Sequence, residues 1–350
     1  MKARQPSFAN GVFFALIAAS LAASSAPSDA PYSVAQEYLL GGPGGWDLLM
    51  SDPDHQRLFI TRADRIMVVS TADGSLVGTI PETAGVHGVA LAANLGKGFS
   101  SNGRSDNVTV FDLQTLKPLE TIAVKGQNPD VILFEAASGR LLTFNGRSQD
   151  ISFIDPEKRE VVAKLPAGGK PEFAVADGTG KVFVNIEDKA QILVFDARTA
   201  RQIAVWPLAG CEEPTGLAMD VAHRRLFSVC GNQVMAITNA DTGKSVARVK
   251  IGQGPDGAAF DAERGLVFSP NGRDGTLTIV HEDDPDHYSV AATIATRKSA
   301  RTMALDAKTH RVYLVSAEFG PAPAPTPEHP HPRGAVLENS FRLTVIARQK

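Results

Sequence analysis

The sequence predicts an all-β fold: a seven-bladed β-propeller with four-stranded blades, the N-terminal strand closing the C-terminal blade. Three observations lead there. Seven stretches share one internal grammar at a spacing of roughly 40–45 residues, the period of four-stranded blades arranged radially. The strands implied by that grammar are short and separated by turn residues, and the mature chain sustains no helical period. An unpartnered strand stands at each end of the repeat array.

The elements follow in chain order. Lys2 and Arg4, the apolar run from Phe8 to Ala23 and the small residues of AASSAPSDA have the order of a secretory signal peptide. Cleavage is expected between Ala23 and Ala26, so 1–26 reads as a removable leader and 32–349 as a single propeller domain. The apolar run contains Asn10 and Gly11 and is too short for a comfortable membrane span. No cysteine near the junction could take a lipid. The expected location is periplasmic or secreted, with no membrane span after cleavage.

YSVAQEYLL (32–40) then reads as a last strand with no partner before it. Seven units begin at GGWDLLM (44–50), GVHGVAL (85–91), NPDVILF (128–134), KPEFAVA (170–176), EPTGLAM (213–219), GPDGAAF (254–260) and SARTMAL (299–305). Each opens with a strand rich in small residues (strand A), as the crowded centre of a propeller demands. A polar turn leads to strand B, which carries Phe or Tyr. Strand C alternates, as in NVTVFD or TLTIVH, and strand D resembles LETIAV. The seventh unit reaches its third strand only at FRLTVIA (341–347) and needs the strand at 32–40 as its fourth. Circular closure of this kind hides both sheet edges.

Three units write Asn-Gly-Arg between strands B and C: FSSNGRSDNVTVFD (99–112), LLTFNGRSQDISFID (141–155) and VFSPNGRDGTLTIVH (267–281). Asn-Gly is the strongest short hairpin signal, because a type I′ turn needs positive φ at both central residues. It is expected to turn strand B back into strand C. No hairpin needs the arginine that follows.

These segments, with VHEDDPDHYSV (280–290) and ARTMALDAKTHRVYLVSAEFGPAPAPTPEHPHPR (300–333), resemble the YVTN-repeat propellers. Within them they are similar to the YncE-like family of bacterial periplasmic proteins, over essentially the whole mature chain. The resemblance implies a secreted seven-bladed propeller, often without a defined reaction. One relative has been associated with DNA, and similar folds serve quinoprotein dehydrogenases, lactonases and lyases. A fold alone does not choose among these.

In a propeller the starts of strand A and the B–C turns lie on one face, around the channel mouth. The aligned residues at strand A are Asp47, His87, Asp130, Glu172, Thr215, Asp256 and Arg301, and the B–C turns add Arg62, Arg104, Arg147 and Arg273. From these, Asp47, His87, Arg104, Asp130, Arg147, Glu172, Asp256, Arg273 and Arg301 form the candidate ligand-binding set. Arginine grips carboxylates and phosphates bidentately, so the expected occupant is a small anionic or zwitterionic ligand or a protein partner. The alternative is that Arg and Asp simply pair between neighbouring blades. The proline-rich B–C connection of the last blade (320–339) is expected to be stiff and extended. It would carry His329, His331 and Arg333 as a lid or docking strip, the alternative being a solvent-exposed, partly disordered loop.

HEDDPDH (281–287) lacks the spacing and glycine of an EF-hand, falls in a C–D connection on the opposite face, and reads as a solvated turn. His55, His223 and His310 read as surface residues of A–B turns. Cys211 and Cys230 are the two cysteines. An oxidising compartment and their positions in the fifth unit, with Cα atoms within ~7 Å feasible, favour a disulfide.

No G-x-S-x-G, P-loop or HExxH motif appears, so no catalytic residue and no cofactor is assigned. A divalent metal in the channel is the enzyme alternative, since Asp130, Glu172 and Asp256 could imitate part of a lactonase's Glu, Asn and Asp set. A quinone would need aromatic stacking, for which Trp46, beside Asp47, is the candidate. Without Lys2 and Arg4, 33 basic side chains face 38 acidic ones, which argues against a dominant grip on nucleic acid. The leading reading is therefore a non-enzymatic ligand- or partner-binding propeller. A metal-dependent lactonase- or lyase-like enzyme, or a dehydrogenase subunit, comes second, and a DNA-binding protein third.

Overall fold

Seven four-stranded antiparallel sheets hold every named strand among the described residues. The computed structural model describes residues 1–2, 31–326, 332 and 334–349. The leader, beyond Met1 and Lys2, and the lid residues His329, His331 and Arg333 lie outside the described residues. No helix among the described residues is long and apolar enough to cross a membrane.

The second blade shows the plan: strand A is Val86–Ala92, B Lys97–Asn102, C Asn107–Asp112 and D Pro118–Ala123, hydrogen-bonded in that order. In the seventh blade Met303–Asp306, Arg311–Ser316 and Arg342–Arg348 supply strands A to C, and Tyr32–Leu39 supplies D. The ladder runs from Tyr32 opposite Arg348 to Leu39 opposite Arg342, so the two ends of the array close the ring as expected.

Strand B explains the recurring Phe or Tyr. Phe59, Phe99, Phe144, Phe183, Phe227, Phe268 and Tyr313 are all 0% exposed, one per blade. They pack within and between blades: Phe59 lies 5.9 Å from Phe111 of the second blade, and Tyr32 5.5 Å from Phe268 of the sixth. Full burial of such a side chain stabilises by about 1.5–3 kcal/mol, so the core is a ring of equivalent wedges. The Cys211–Cys230 disulfide is formed, with Cα atoms 5.4 Å apart, and ties the loop before strand A of the fifth blade to the end of its strand B.

Arg62 has a closing role. It is fully buried, donates to the carbonyls of Gly41, Gly42, Pro43 and Gly44 at 2.9–3.2 Å, and stacks 3.6 Å over the Phe341 ring. It thereby fixes the GGPGG segment joining the last blade's outer strand to the first blade. Burial, helped by Arg65, pulls its pKa down to about 10.

Three local expectations are corrected. Asn-Gly does not form a type I′ turn. Asn102, Asn145 and Asn271 end strand B opposite Asn107, Asp150 and Thr276, which makes four-residue loops. Positive φ falls later, at Asp106 (52°), Gln149 (53°) and Gly275 (69°). Each asparagine is fully buried and spent on side-chain hydrogen bonds, for example Asn102 Nδ2 to Asn107 Oδ1 and Thr109 Oγ1, both at 2.8 Å. The glycine is there for close approach: a Cβ on Gly103 would meet His87 Nε2 at 2.6 Å, and one on Gly272 would meet the Arg301 Cβ at 2.7 Å.

HEDDPDH is not a solvated turn throughout. Strands C and D of the sixth blade extend over Thr276–Asp284 and His287–Ala295, leaving only Pro285 and Asp286 to turn. Glu282 is buried, and the tip binds Arg225 of the fifth blade through Pro285 O (2.7 Å) and Asp286 (2.9 Å). His310 is not a surface residue either. Its side chain is 15% exposed and is held between Asp261 (2.8 Å) and Glu263 (3.2 Å) of the sixth blade.

Candidate ligand site at the channel mouth

A backbone irregularity places the site. In blades two to five the A–B ladder shifts register just after strand A begins, between Val86 and Val89, Pro129 and Ile132, Pro171 and Ala174, and Pro214 and Leu217. His87, Asp130, Glu172 and Thr215 are the first of the two residues inside each shift. A bulge of this kind re-aims a side chain. Asp47, Asp256 and Arg301 precede strand A of blades one, six and seven by a few residues.

Asp47, Asp130, Glu172, Thr215, Asp256 and Arg301 line one cavity of about 180 Å³, together with Lys170 and Glu187. Charges alternate around it. Arg301 Nε binds Asp256 at 2.5 Å and its Nη2 binds Asp47 at 3.2 Å. His87 Nδ1 lies 2.7 Å from Asp47 and 3.7 Å from Asp130. Lys170 binds Glu172 at 2.7 Å and also pairs with Glu187. Arg301 thus follows the neighbour-pairing alternative.

The electrostatics reflect burial. Desolvation lowers the pKa of His87, but the Asp47 hydrogen bond and the charges of Asp130, Asp47 and Glu172 outweigh it and raise it to about 9. Burial, with Asp47 and Asp256 against His87 and Lys170, lifts Asp130 to about 6. Burial and Asp130, against Lys170, lift Glu172 to about 8. Burial also raises Asp256 against the pull of Arg301. Among the described residues, Asp47, Asp130, Glu172, Glu187 and Asp256 face His87, Lys170 and Arg301, so carboxyl groups outnumber cations there.

Arg104, Arg147 and Arg273 are absent from the cavity wall. All three are exposed, and their side chains have no ion pair or hydrogen bond among the described residues. Their backbones are fixed. In each motif the glycine and arginine amides donate to the loop leading into strand A: Gly103 to Gly85 O (2.9 Å) and Arg104 to Ala84 O (3.3 Å), Gly146 to Asn128 O (2.9 Å) and Arg147 to Gln127 O (3.2 Å), Gly272 to Gly254 O (2.9 Å) and Arg273 to Gln253 O (3.1 Å). Three unpaired guanidinium groups therefore stand on anchored loops on the face that carries the cavity.

Lys170 and Glu187 were not anticipated. Their signal was the replacement of Asn-Gly-Arg in blade four by a 3-10 turn, Glu187–Lys189, beside the KPEF start of strand A. Trp46 is not a stacking platform in the channel. It is 8% exposed and packs on Phe341 (5.3 Å) and Phe319 (5.8 Å). On the opposite face Asp220, His223 and Glu282 converge, with His223 Nδ1 2.6 Å from Asp220 and 3.6 Å from Glu282.

No family model matches the chain, and no curated protein does. Solved structures do. The chain is similar to a structure of U3-55K, with a TM-score of 0.72 and 13% identity over 90% of this chain and 99% of that one. It is also similar to the RRP9 WD40 repeats, with a TM-score of 0.73 and 13% identity over 91% and 99%. At this identity the likeness shows the seven-bladed propeller and nothing finer.

Proposed function

We propose that this protein is a periplasmic or secreted, non-enzymatic binding propeller of the YncE-like kind that engages a protein partner across its channel-mouth face. A basic side chain of the partner enters the carboxyl-rich mouth, and acidic groups around it meet Arg104, Arg147 and Arg273. A small zwitterion satisfies the same pattern.

One observation carries this reading: the rim arginines sit on loops anchored by paired backbone bonds, in three blades, and their side chains make no ion pair or hydrogen bond among the described residues. A fixed loop with an unspent guanidinium suits recognition of a carboxylate. The raised pKa values of Asp130 and Glu172 add the complementary half, because buried carboxyl groups short of positive charge gain from an incoming cation. The same carboxyl groups repel a phosphate backbone, which ranks this reading above nucleic acid binding. The disulfide and the leader-like N-terminus support export.

The test is cross-linked capture from the compartment in which the mature protein resides. Wild-type protein should retain a partner that Asp130→Asn and the Arg104→Ala/Arg147→Ala/Arg273→Ala variant do not. Equal capture by all three proteins would remove the proposal.

The enzyme alternative keeps one specific support. Ligand atoms of Asp47, His87 and Asp130 lie within 4.8 Å of one another, a mixed nitrogen and oxygen set compatible with zinc or manganese. Elemental analysis of natively purified protein decides it: stoichiometric metal lost in His87→Ala favours that reading, and none favours the binding reading.

A further inference from the structure

A second cleft lies outside the channel, at the outer rim between the sixth and seventh blades. Its volume is about 560 Å³, a size suited to a small organic molecule. The walls come from the link between the two blades, the end of strand B in the seventh and the stem of the proline-rich connection. We propose that this cleft binds an organic anion, a carboxylate or phosphate carried on a small apolar body.

The charge balance favours an anion. Arg297 is already spent on Glu37, to which it donates twice at 2.7 and 2.8 Å. Lys298 and Arg342 also line the cleft; Lys298 has no ion pair or hydrogen bond among the described residues, and Arg342 acts on Glu37 through its charge without a hydrogen bond. Glu318, exposed at the edge, is the single carboxylate among the lining residues. Three cations therefore stand against two acids, Glu37 and Glu318.

The floor supplies an independent observation. Ser316 is 2% exposed, and its hydroxyl has no hydrogen-bond partner; Thr296 Oγ1 in the wall is likewise unpartnered. Buried polar atoms are satisfied in the great majority of cases, and each exception calls for an explanation. Two such hydroxyls among the lining residues of one cleft are explained by an acceptor-rich guest. The apolar part has its own surface: Phe319 and Leu337 line the same cleft and are among the exposed large hydrophobic residues, at 36% and 43%.

The test is calorimetric titration of the mature chain with phenyl phosphate, benzoate and inorganic phosphate. Saturable one-to-one binding of phenyl phosphate or benzoate is expected, the tighter of the two naming the head group. Inorganic phosphate should bind at least about tenfold more weakly, lacking the apolar contact. Lys298→Ala and Arg342→Gln should each lose roughly tenfold in affinity. Ser316→Ala should lose affinity without a lower melting midpoint, because it deletes a hydroxyl that stabilises nothing in the free protein. The channel-face variant Arg104→Ala/Arg147→Ala, in blades that do not touch this cleft, should bind as wild type, which separates this site from the proposed function. No saturable binding of either aromatic anion, or binding untouched by both cation variants, or binding lost with the channel-face arginines, would overturn the assignment.

Discussion

Replacing Asn145 by alanine should cost about 2–3 kcal/mol, while replacing Arg147, two residues on, should cost nothing measurable. Asn145 is fully buried, donates to Asp150 (2.7 Å) and Ser152 (2.9 Å), and accepts from Thr143 (3.1 Å). Three hydrogen bonds at roughly 0.5–1.5 kcal/mol each, one of them to a carboxylate, would reach about 4 kcal/mol if every partner were stranded. They are not all stranded. Ser152 also donates to Val124 O (2.6 Å), and Asp150 keeps Lys164 (2.5 Å). The lower half of the range follows.

Arg147 is exposed and spends no side-chain bond, so its truncation should fall within about 0.5 kcal/mol. For a domain of this length these figures correspond to a melting midpoint lowered by roughly 3–5 °C for Asn145→Ala and less than about 1 °C for Arg147→Ala. Thermal melts followed by circular dichroism, with urea titrations as a check, measure both. Asn102→Ala and Asn271→Ala, in separate blades, should behave alike and add within about 0.5 kcal/mol. Equal costs for Asn145→Ala and Arg147→Ala would refute the division of this motif into an asparagine that builds and an arginine that binds.

Other outcomes follow from the same geometry. His87 has its pKa raised to about 9 from 6.5, so the stability it contributes is complete below pH 6.5 and is lost as pH rises through about 9; its upper bound is about 3 kcal/mol. Asp130 and Glu172, raised to about 6 and 8, cost stability as they ionise, in the same direction. The unfolding midpoint should therefore fall as pH rises from about 4 to about 9, the part above pH 6.5 being smaller in His87→Gln, and a pH-independent midpoint would contradict the charge ring. Arg62→Met should lower the melting midpoint by at least as much as Asn145→Ala, since it strands the carbonyls of the closing loop; an unchanged midpoint would show that the loop closes without it. Cys211→Ser/Cys230→Ser should cost about 3 kcal/mol for a loop of this separation, 19 residues, and melts with and without reductant should show wild type alone responding.

The architecture was legible because it repeats. Seven copies of one strand grammar cannot be read as seven accidents, and YSVAQEYLL and FRLTVIA each lacked a neighbour that only the other could supply. The ring of charge at strand A was legible for the same reason, as aligned positions in aligned units. What escaped the sequence depends on contacts between units. Asn-Gly looked like a hairpin dipeptide because turn statistics contain no buried serine or threonine for the asparagine to bind. HEDDPDH looked solvated because polarity hides that Glu282 folds against blade five and that Tyr288 packs 5.8 Å from Phe227. His310 looked superficial although Asp261 of another blade encloses it. Arg62 was grouped with Arg104 among the B–C turn arginines, yet it ends strand B where blade two has Asn102, and the Phe341 ring and four carbonyls bury it.

The central claim is that the three rim arginines exist to bind and not to hold the propeller together. Melting and partner capture measured side by side on Arg104→Ala/Arg147→Ala/Arg273→Ala test it most directly. The account predicts a midpoint within about 2 °C of wild type and a partner no longer retained. A propeller that melts well below wild type, or one that keeps its partner, would contradict it.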